Sequence, residues 1–426
     1  MKQTKKYRII GNMTGNSMDA IDLILTEFEG NNIKDICTYT KPYDKDMQIK
    51  INTLRQLVHN KTAEQIRQIP EFLAIHNEYI RQIAECVKEL CYRNKQSVTS
   101  IDAIGFHGKT LDHNPPSKAK EDGSFPYTLQ MGSGQMLADL TAIPVVYDFR
   151  SDWLMAGYEG APLVPPHNAH IAEIEGDGIY YNGGNTANFA LIRNKQVIAS
   201  SDAGPFNEYI DGFVRQNTTM AYDQQGIMGK NGQLDINLLQ KTFKLGRKFY
   251  DRALPKSGDP AYYQQDKLFH YVQQEQIRFE DALHTFEYFA AYIAAYTLTQ
   301  IPENIIFPEN IILFGGGWKN PIVYQSFTKM LKNQAQILPE HQEAFKCLYQ
   351  KLPSTLEVHY SQFGAYMEAR LFADLAYHKL INKPWKMPET DTPIVCGIIA
   401  KPSRQQQSYP DCINRAAKGW QKNRVK

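Results

Sequence analysis

Cysteine is scarce in this chain, with six residues in 426 (Cys37, Cys86, Cys91, Cys347, Cys396 and Cys412) and no CxxC pair. That excludes a disulfide scaffold and predicts reduced thiols in a cytoplasmic protein. Long apolar runs are missing too. The longest stretches, such as Phe289–Leu298, fall well short of the roughly 18 residues that cross a bilayer, so no membrane partner is expected. The opening MKQTKKYRIIG has a basic head but no apolar run behind it, which excludes a secretory signal. Net charge is nearly absent at +2, so there is no chain-wide electrostatic case for nucleic acid, and none is expected as a partner. The charge is uneven, however. Residues 401–426 hold seven Lys/Arg against one Asp, leaving −4 for the rest, and read as a solvated, mobile basic tail.

Two nucleotide signatures also fail. Gly105-Phe106-His107-Gly108-Lys109-Thr110 ends in GKT, but two residues separate its glycines where a P-loop needs four. Gly132-Ser133-Gly134 follows a strand and opens a helix, but Leu137 stands where a dinucleotide fingerprint needs its third small residue.

What is present is ordinary globular composition over a length that suits two or three domains, enough to bury a core without staples. Strand patterns at Arg8–Ile10, Ile21–Phe28, Ile101–His107, Pro126–Gln130, Ile143–Tyr147, Gly178–Tyr181, Ala187–Ile192, Gln196–Ser200, Asn310–Phe314 and Val358–Tyr360 alternate with helical ones. The helical patterns include 63–92, a helix from Gly134, and one from about Gln362. A long helix carries Leu283, Phe286, Ala290 and Ile293 on one face. This alternation argues for an α/β fold.

One device occurs twice. RIIGNMTGNSMDAIDLILTEF and GIYYNGGNTANFALIRN are each a strand, a turn of glycine with small polar residues, and a strand. Two such turns could hold one anionic ligand between them, although ordinary β-turns use the same residues. In the first, Gly15, Asn16, Ser17 and Met18 offer close backbone approach and side-chain donors to a phosphate, and Asp19 could hold Mg²⁺. The second, Gly183-Gly184-Asn185-Thr186, is similarly rich in donors. Gly315-Gly316-Gly317 follows a strand and suits either a flat ligand such as a base or ribose, or a loose loop. Asp148 follows the buried strand IPVVY, where α/β proteins place their chemistry. It could be a general base, a cap for the next segment, or a partner of Arg150. His107 with His113, and His167 with His170, lack the companions of a zinc site and read as hydrogen-bonding or surface histidines.

In order along residues 8–400, these segments resemble the anhydro-N-acetylmuramic acid kinases, members of the acetate and sugar kinase/Hsp70/actin superfamily. IGNMTGNSMDAID is similar to the family's first phosphate loop, GFHGKTLDH to its HGQT segment, and NGGNTAN to NIGGIAN. SDAGPFN resembles DTGPGN, LPKSGD resembles PKSTG, and LFGGGWKNP resembles GGGxxNP. DFRS with the following GYEGAPLVP carries most weight.

The resemblance implies a two-domain actin-like ATPase fold, with ATP in a cleft between related halves at 1–170 and 171–400, followed by the tail 401–426. It implies hydrolytic opening of the 1,6-anhydro ring of anhydro-N-acetylmuramic acid with phosphorylation of O6, in cell-wall sugar recycling. Asp148 would be the base. Gly15, Asn16, Ser17, Met18, Asp19 and Asp22 would contact ATP phosphates, with Asp19 near Mg²⁺ and Gly183 and Gly184 on the other side. Gly315, Gly316, Gly317 and Asn320 would lie by the adenosine. His107, Thr110 and Arg150 would face the sugar, Arg150 being suited to a carboxylate. The partners implied are the sugar and ATP, with a homodimer common in the family.

Departures from the family pattern are Asn16, Ala20, Ser133, Asn182, Asn185, Thr186, Ala203 and Phe206, and a carboxylate displaced or lost around Glu287–Tyr288. They leave two alternatives: a kinase of a different anhydro- or amino-sugar, or a non-catalytic ATP- or sugar-binding relative.

Overall fold

The computed structural model describes residues 5–15, 20–59, 61–258, 262–385, 393–403, 410–414 and 416. The chain divides into two compact units, Met1–Ile174 with Tyr366–Lys426, and Glu175–Ala365.

In the first unit, β1 (Tyr7–Thr14), β2 (Ala20–Glu29) and β3 (Asn32–Pro42) form an antiparallel meander. On the other side of β1 lie β4 (Ala103–Phe106) and β7 (Val145–Tyr147), both parallel to it. An antiparallel strand β13 (Ile398–Ala400) closes that edge, giving the order β13-β7-β4-β1-β2-β3. A separate hairpin pairs β5 (Lys109–Asn114) with β6 (Tyr127–Met131). The second unit repeats the plan. An antiparallel meander of β8 (Gly178–Gly183), β9 (Thr186–Arg193) and β10 (Gln196–Pro205) is extended by parallel β11 (Asn310–Phe314) and β12 (Glu357–Tyr360). Each meander's first strand therefore leads into a parallel extension, so the duplicated hairpin is the visible part of a duplicated sheet.

Central strands buried on both faces read as continuous apolar runs, and β4 is buried at every position. Gly11 of β1 and Gly105 of β4 lie opposite each other. A Cβ on Gly11 would stand 1.9 Å from the Ala369 carbonyl oxygen, and one on Gly105 1.9 Å from that of Phe372. Only glycine lets the helix Met367–Leu380 lie this close to the sheet.

This packing corrects the expected second half. Residues from 366 onward return to the first sheet, so the second unit ends at Ala365 rather than near residue 400. The helix read from about Gln362 begins at Met367. The pattern over 63–92 is two helices, Ala63–Arg67 and Pro70–Arg93. Pro70 lacks the N–H that a continuous helix would require, and it sits instead in the first turn of the second helix. The long helix Phe279–Thr299 is buried on every face from Ala282 to Leu298 except at His284, not on one stripe. The tail is also not wholly solvated, because Cys412, Ile413, Asn414 and Ala416 are buried in the first unit. Among the described residues no helix is long and apolar enough to cross a membrane.

Candidate active site

Asp148 follows β7 at φ 58°, a left-handed conformation uncommon for a residue with a side chain. It is 5% exposed. Its side chain makes no capping bond to the helix Phe149–Met155, which removes capping as its role. It accepts a short hydrogen bond from the Ser151 hydroxyl.

Arg150, on the same short helix, donates from Nε to His107 Nε2 at 3.0 Å and from Nη1 to the Gly160 carbonyl at 2.6 Å. It thereby ties the Gly/Pro-rich segment after it to the end of β4. His107 stacks on Phe372, with ring centroids 4.6 Å apart. Burial, and then the positive charges of Arg150 and Lys109, hold its imidazole well below the ordinary histidine range. The ring is therefore neutral at pH 7, and accepting at Nε2 puts its proton on Nδ1. Thr110 is half-buried in β5, and its hydroxyl accepts from Gln130 Nε2 at 3.4 Å.

The first glycine turn is reached from this side. Lys109, fully buried, donates from Nζ to the Gly15 carbonyl. Thr14 pairs with the Tyr79 hydroxyl at 2.9 Å. Asp22, half-buried in β2, accepts from Thr40 Oγ1 at 2.7 Å. Asn16, Ser17, Met18 and Asp19 lie outside the described residues. Ala20 opens β2 opposite Pro42 in extended backbone, so it adds no strain there.

In the second unit three distant segments converge. Phe206 N donates to the Asn185 carbonyl at 2.7 Å, and Asn207 N to that of Gly184 at 3.1 Å, closing the turn after β8. Gly315 has φ 94°, and a Cβ there would stand 2.6 Å from Asn182 Oδ1 and 2.7 Å from the Gly183 carbonyl. A Cβ on Gly183 would strike Trp318 and Phe206, and one on Gly317 would strike Asn207. Gly184 and Gly316 differ. The nearest atom to a Cβ at Gly184 is 3.4 Å away, and Gly316 has nothing within 4 Å. Packing thus demands glycine at 183, 315 and 317, while the backbone at 184 and 316 is left approachable, as a phosphate or a flat nucleotide group requires.

Phe206, a departure from the family's glycine, packs on Trp318 at 4.6 Å, and Trp318 Nε1 donates to the Tyr181 carbonyl at 3.0 Å. Phe206 therefore forms part of an aromatic core beneath the turn. SDAGPFN and LPKSGD also meet, since Gly258 N donates to Asp202 Oδ2 at 2.7 Å.

Asn320 caps the helix Pro321–Leu331 through Oδ1 and donates from Nδ2 to Glu287 Oε1 at 2.6 Å. Its amide thus faces inward. Glu287 is fully buried, and burial, aided by the nearby Asp223 charge, pushes its carboxyl up to about 9. It is a neutral acid at pH 7. Through Asn320, whose backbone N–H donates to the Gly317 carbonyl at 3.1 Å, this buried acid supports the glycine cluster.

Elsewhere in the first unit, His167 and His170 direct Nδ1 at the buried Asp374 carboxylate, at 2.6 and 2.8 Å. Both are buried and hydrogen-bonded rather than at the surface, and Asp374 and His378 lie close enough to His170 for the three to hold a metal ion, companions that the sequence spacing did not reveal. No local pattern marks Lys109 or Ser151 for a role. Lys109 stood inside the rejected GKT and Ser151 inside DFRS, so only the fold distinguishes them.

A sequence profile of the anhydro-N-acetylmuramic acid kinases matches residues 7–392. The chain is 30% identical over 389 residues to the anhydro-N-acetylmuramic acid kinase of Zymomonas mobilis, covering 89% of this chain and 95% of that one. It is 28% identical to that of Vibrio vulnificus strain CMCP6, covering 90% and 95%. Among solved structures it is similar to the activator of 2-hydroxyisocaproyl-CoA dehydratase from Clostridium difficile. The identity is 9% and the TM-score 0.42, covering 88% of this chain and 97% of that one.

Proposed function

The chain belongs to the anhydro-N-acetylmuramic acid kinase family, and from that premise we propose that it opens the 1,6-anhydro ring of anhydro-N-acetylmuramic acid with water while ATP phosphorylates O6. The observation that carries the reading is Asp148, a buried carboxylate at the end of β7, beside a segment that binds Arg150 to His107. Asp148 takes a proton from water as the water oxygen bonds to C1 of the sugar. The C1–O6 bond breaks, and O6 accepts the γ-phosphoryl group as ADP leaves. The products are N-acetylmuramic acid 6-phosphate and ADP. Neutral His107 offers a ring N–H and no charge, and Arg150 fixes its orientation, which suits holding sugar hydroxyls.

The approachable backbone at Gly184 and Gly316 supports phosphate and nucleotide contact from the second unit. Asp19, the residue expected to hold Mg²⁺, lies outside the described residues, and the reading does not depend on it. ADP release measured with ATP, Mg²⁺ and 1,6-anhydro-N-acetylmuramic acid tests the proposal. Turnover by the unaltered chain that is lost in Asp148→Asn supports it. No turnover above that variant, with ATP still bound, sinks it in favour of another sugar or a non-catalytic binder.

A further inference from the structure

Residues 411–414 and Ala416 lie beyond the residues that the family profile matches, yet Cys412, Ile413, Asn414 and Ala416 are buried in the first unit. Asp411 accepts from Ser133 Oγ at 2.5 Å and from Gln135 N at 3.2 Å, at the start of the helix Gly134–Thr141. Asp411 thus places a carboxylate at the N-terminal end of that helix. Ile413 pairs with Met131 in a β-bridge that continues from β6. Asn414 then donates from Nδ2 to Gln130 Oε1 at 2.9 Å and to Ser151 Oγ at 3.2 Å. Ala416 N donates to the same Ser151 oxygen at 3.0 Å.

The chemistry of that one oxygen is decisive. A serine hydroxyl has one proton and two acceptor positions. Asn414 and Ala416 fill both acceptor positions with N–H donors. The remaining proton is left for Asp148 Oδ1, which is where the short bond lies. Ser151 is 0% exposed, so bulk solvent does not reach the arrangement.

We propose that residues 411–414 together with Ala416 are a positioning segment for the reaction, acting through Ser151 to hold the Asp148 carboxylate in its productive orientation. The inference rests on Asp148 being the base. Ser151, Asn414 and the Ala416 amide are positioning groups and need not touch substrate. In a chain that acts this way, loosening the segment slows turnover without weakening nucleotide binding.

A double-mutant cycle on kcat tests this, using the full chain unaltered, as Ser151→Ala, as Asn414→Ala and as both together. KM for ATP and the thermal midpoint are measured beside kcat. We expect each single change to lower kcat by on the order of tenfold, with KM for ATP within about twofold. The double variant should be no slower than the slower single one, because Asn414 has little left to act on once the Ser151 hydroxyl is gone. A merely structural segment would give losses that multiply and that follow the thermal midpoint. That outcome overturns the proposal, as do single variants that keep kcat within about twofold. Asn414→Ala leaves the interior of the Ser151 helix intact, so the cycle stays readable should Ser151→Ala fold poorly. A wild-type chain with no turnover sinks the functional reading and this one with it, whereas turnover with unaffected variants sinks this one alone.

Discussion

Replacing Glu287 with glutamine should stabilise the protein, increasingly so as pH rises. Glu287 is fully buried on the helix Phe279–Thr299, and its carboxyl is raised from 4.5 to about 9, chiefly by burial. Between those two values the folded chain keeps a proton that the unfolded chain has released. Stability is therefore fully present below about 4.5 and falls as pH rises toward 9, by roughly 1.4 kcal/mol per unit for this one group. At pH 8 the loss has a ceiling of about 5 kcal/mol, counted over the 3.5 units from 4.5. Glutamine keeps an oxygen for Asn320 Nδ2, which bonds Glu287 Oε1 at 2.6 Å, and never has to release a proton. Urea unfolding at several pH values from 5 to 8, followed by circular dichroism and tryptophan emission, reads the difference. The gap between Glu287→Gln and the unaltered chain should widen in favour of the variant with each pH unit. A gap that stays flat, or a variant less stable at pH 8, would refute the neutral buried acid.

Other consequences can be checked separately. Asp148→Asn should abolish ADP release while ATP still shifts the thermal midpoint. Gly315→Ala puts a Cβ 2.6 Å from Asn182 Oδ1 at φ 94° and should cost about 1–3 kcal/mol and remove the ATP-induced thermal shift, whereas Gly316→Ala should fold like the parent. Asp374→Ala strips the acceptor from His167 and His170 and should cost about 3 kcal/mol or more in urea unfolding at pH 7. Although burial opposes ionisation there, His170 and the ring N–H bonds hold the Asp374 carboxyl below the usual carboxylate range. Its contribution is present above about 3.8 and is lost as pH falls further, so the gap between variant and parent should narrow in acid.

Local order explains what could be read in advance. The strands of both strand–turn–strand devices, the burial of IPVVY and the glycines after IILF are short-range patterns, and each appears at its expected place among the described residues. The family resemblance rests on the same short segments and assigns Asp148 as the base with His107, Thr110 and Arg150 facing the sugar, and of these the structure bonds Arg150 to His107. Boundaries failed where a single atom mattered, as at Pro70, whose missing N–H splits one apparent helix into two. The long helix defied a one-face reading because its surroundings, not its own periodicity, decide that Thr285 and Glu287 are buried.

By itself the sequence determined the alternation of strands and helices, the duplicated hairpin, and the carboxylate at a strand end. Those are properties of neighbours along the chain, set by side-chain period and turn chemistry. Only the tertiary structure decided that the helix Met367–Leu380 returns to the first sheet over Gly11 and Gly105. It also decided that Glu287 is a neutral acid under Asn320, and that Asn414 and Ala416 aim the Ser151 proton at Asp148. Each of these depends on groups remote in sequence sharing a space without water. There, close backbone approach, desolvation and the count of available lone pairs govern what a residue does, and none of the three is written in local pattern.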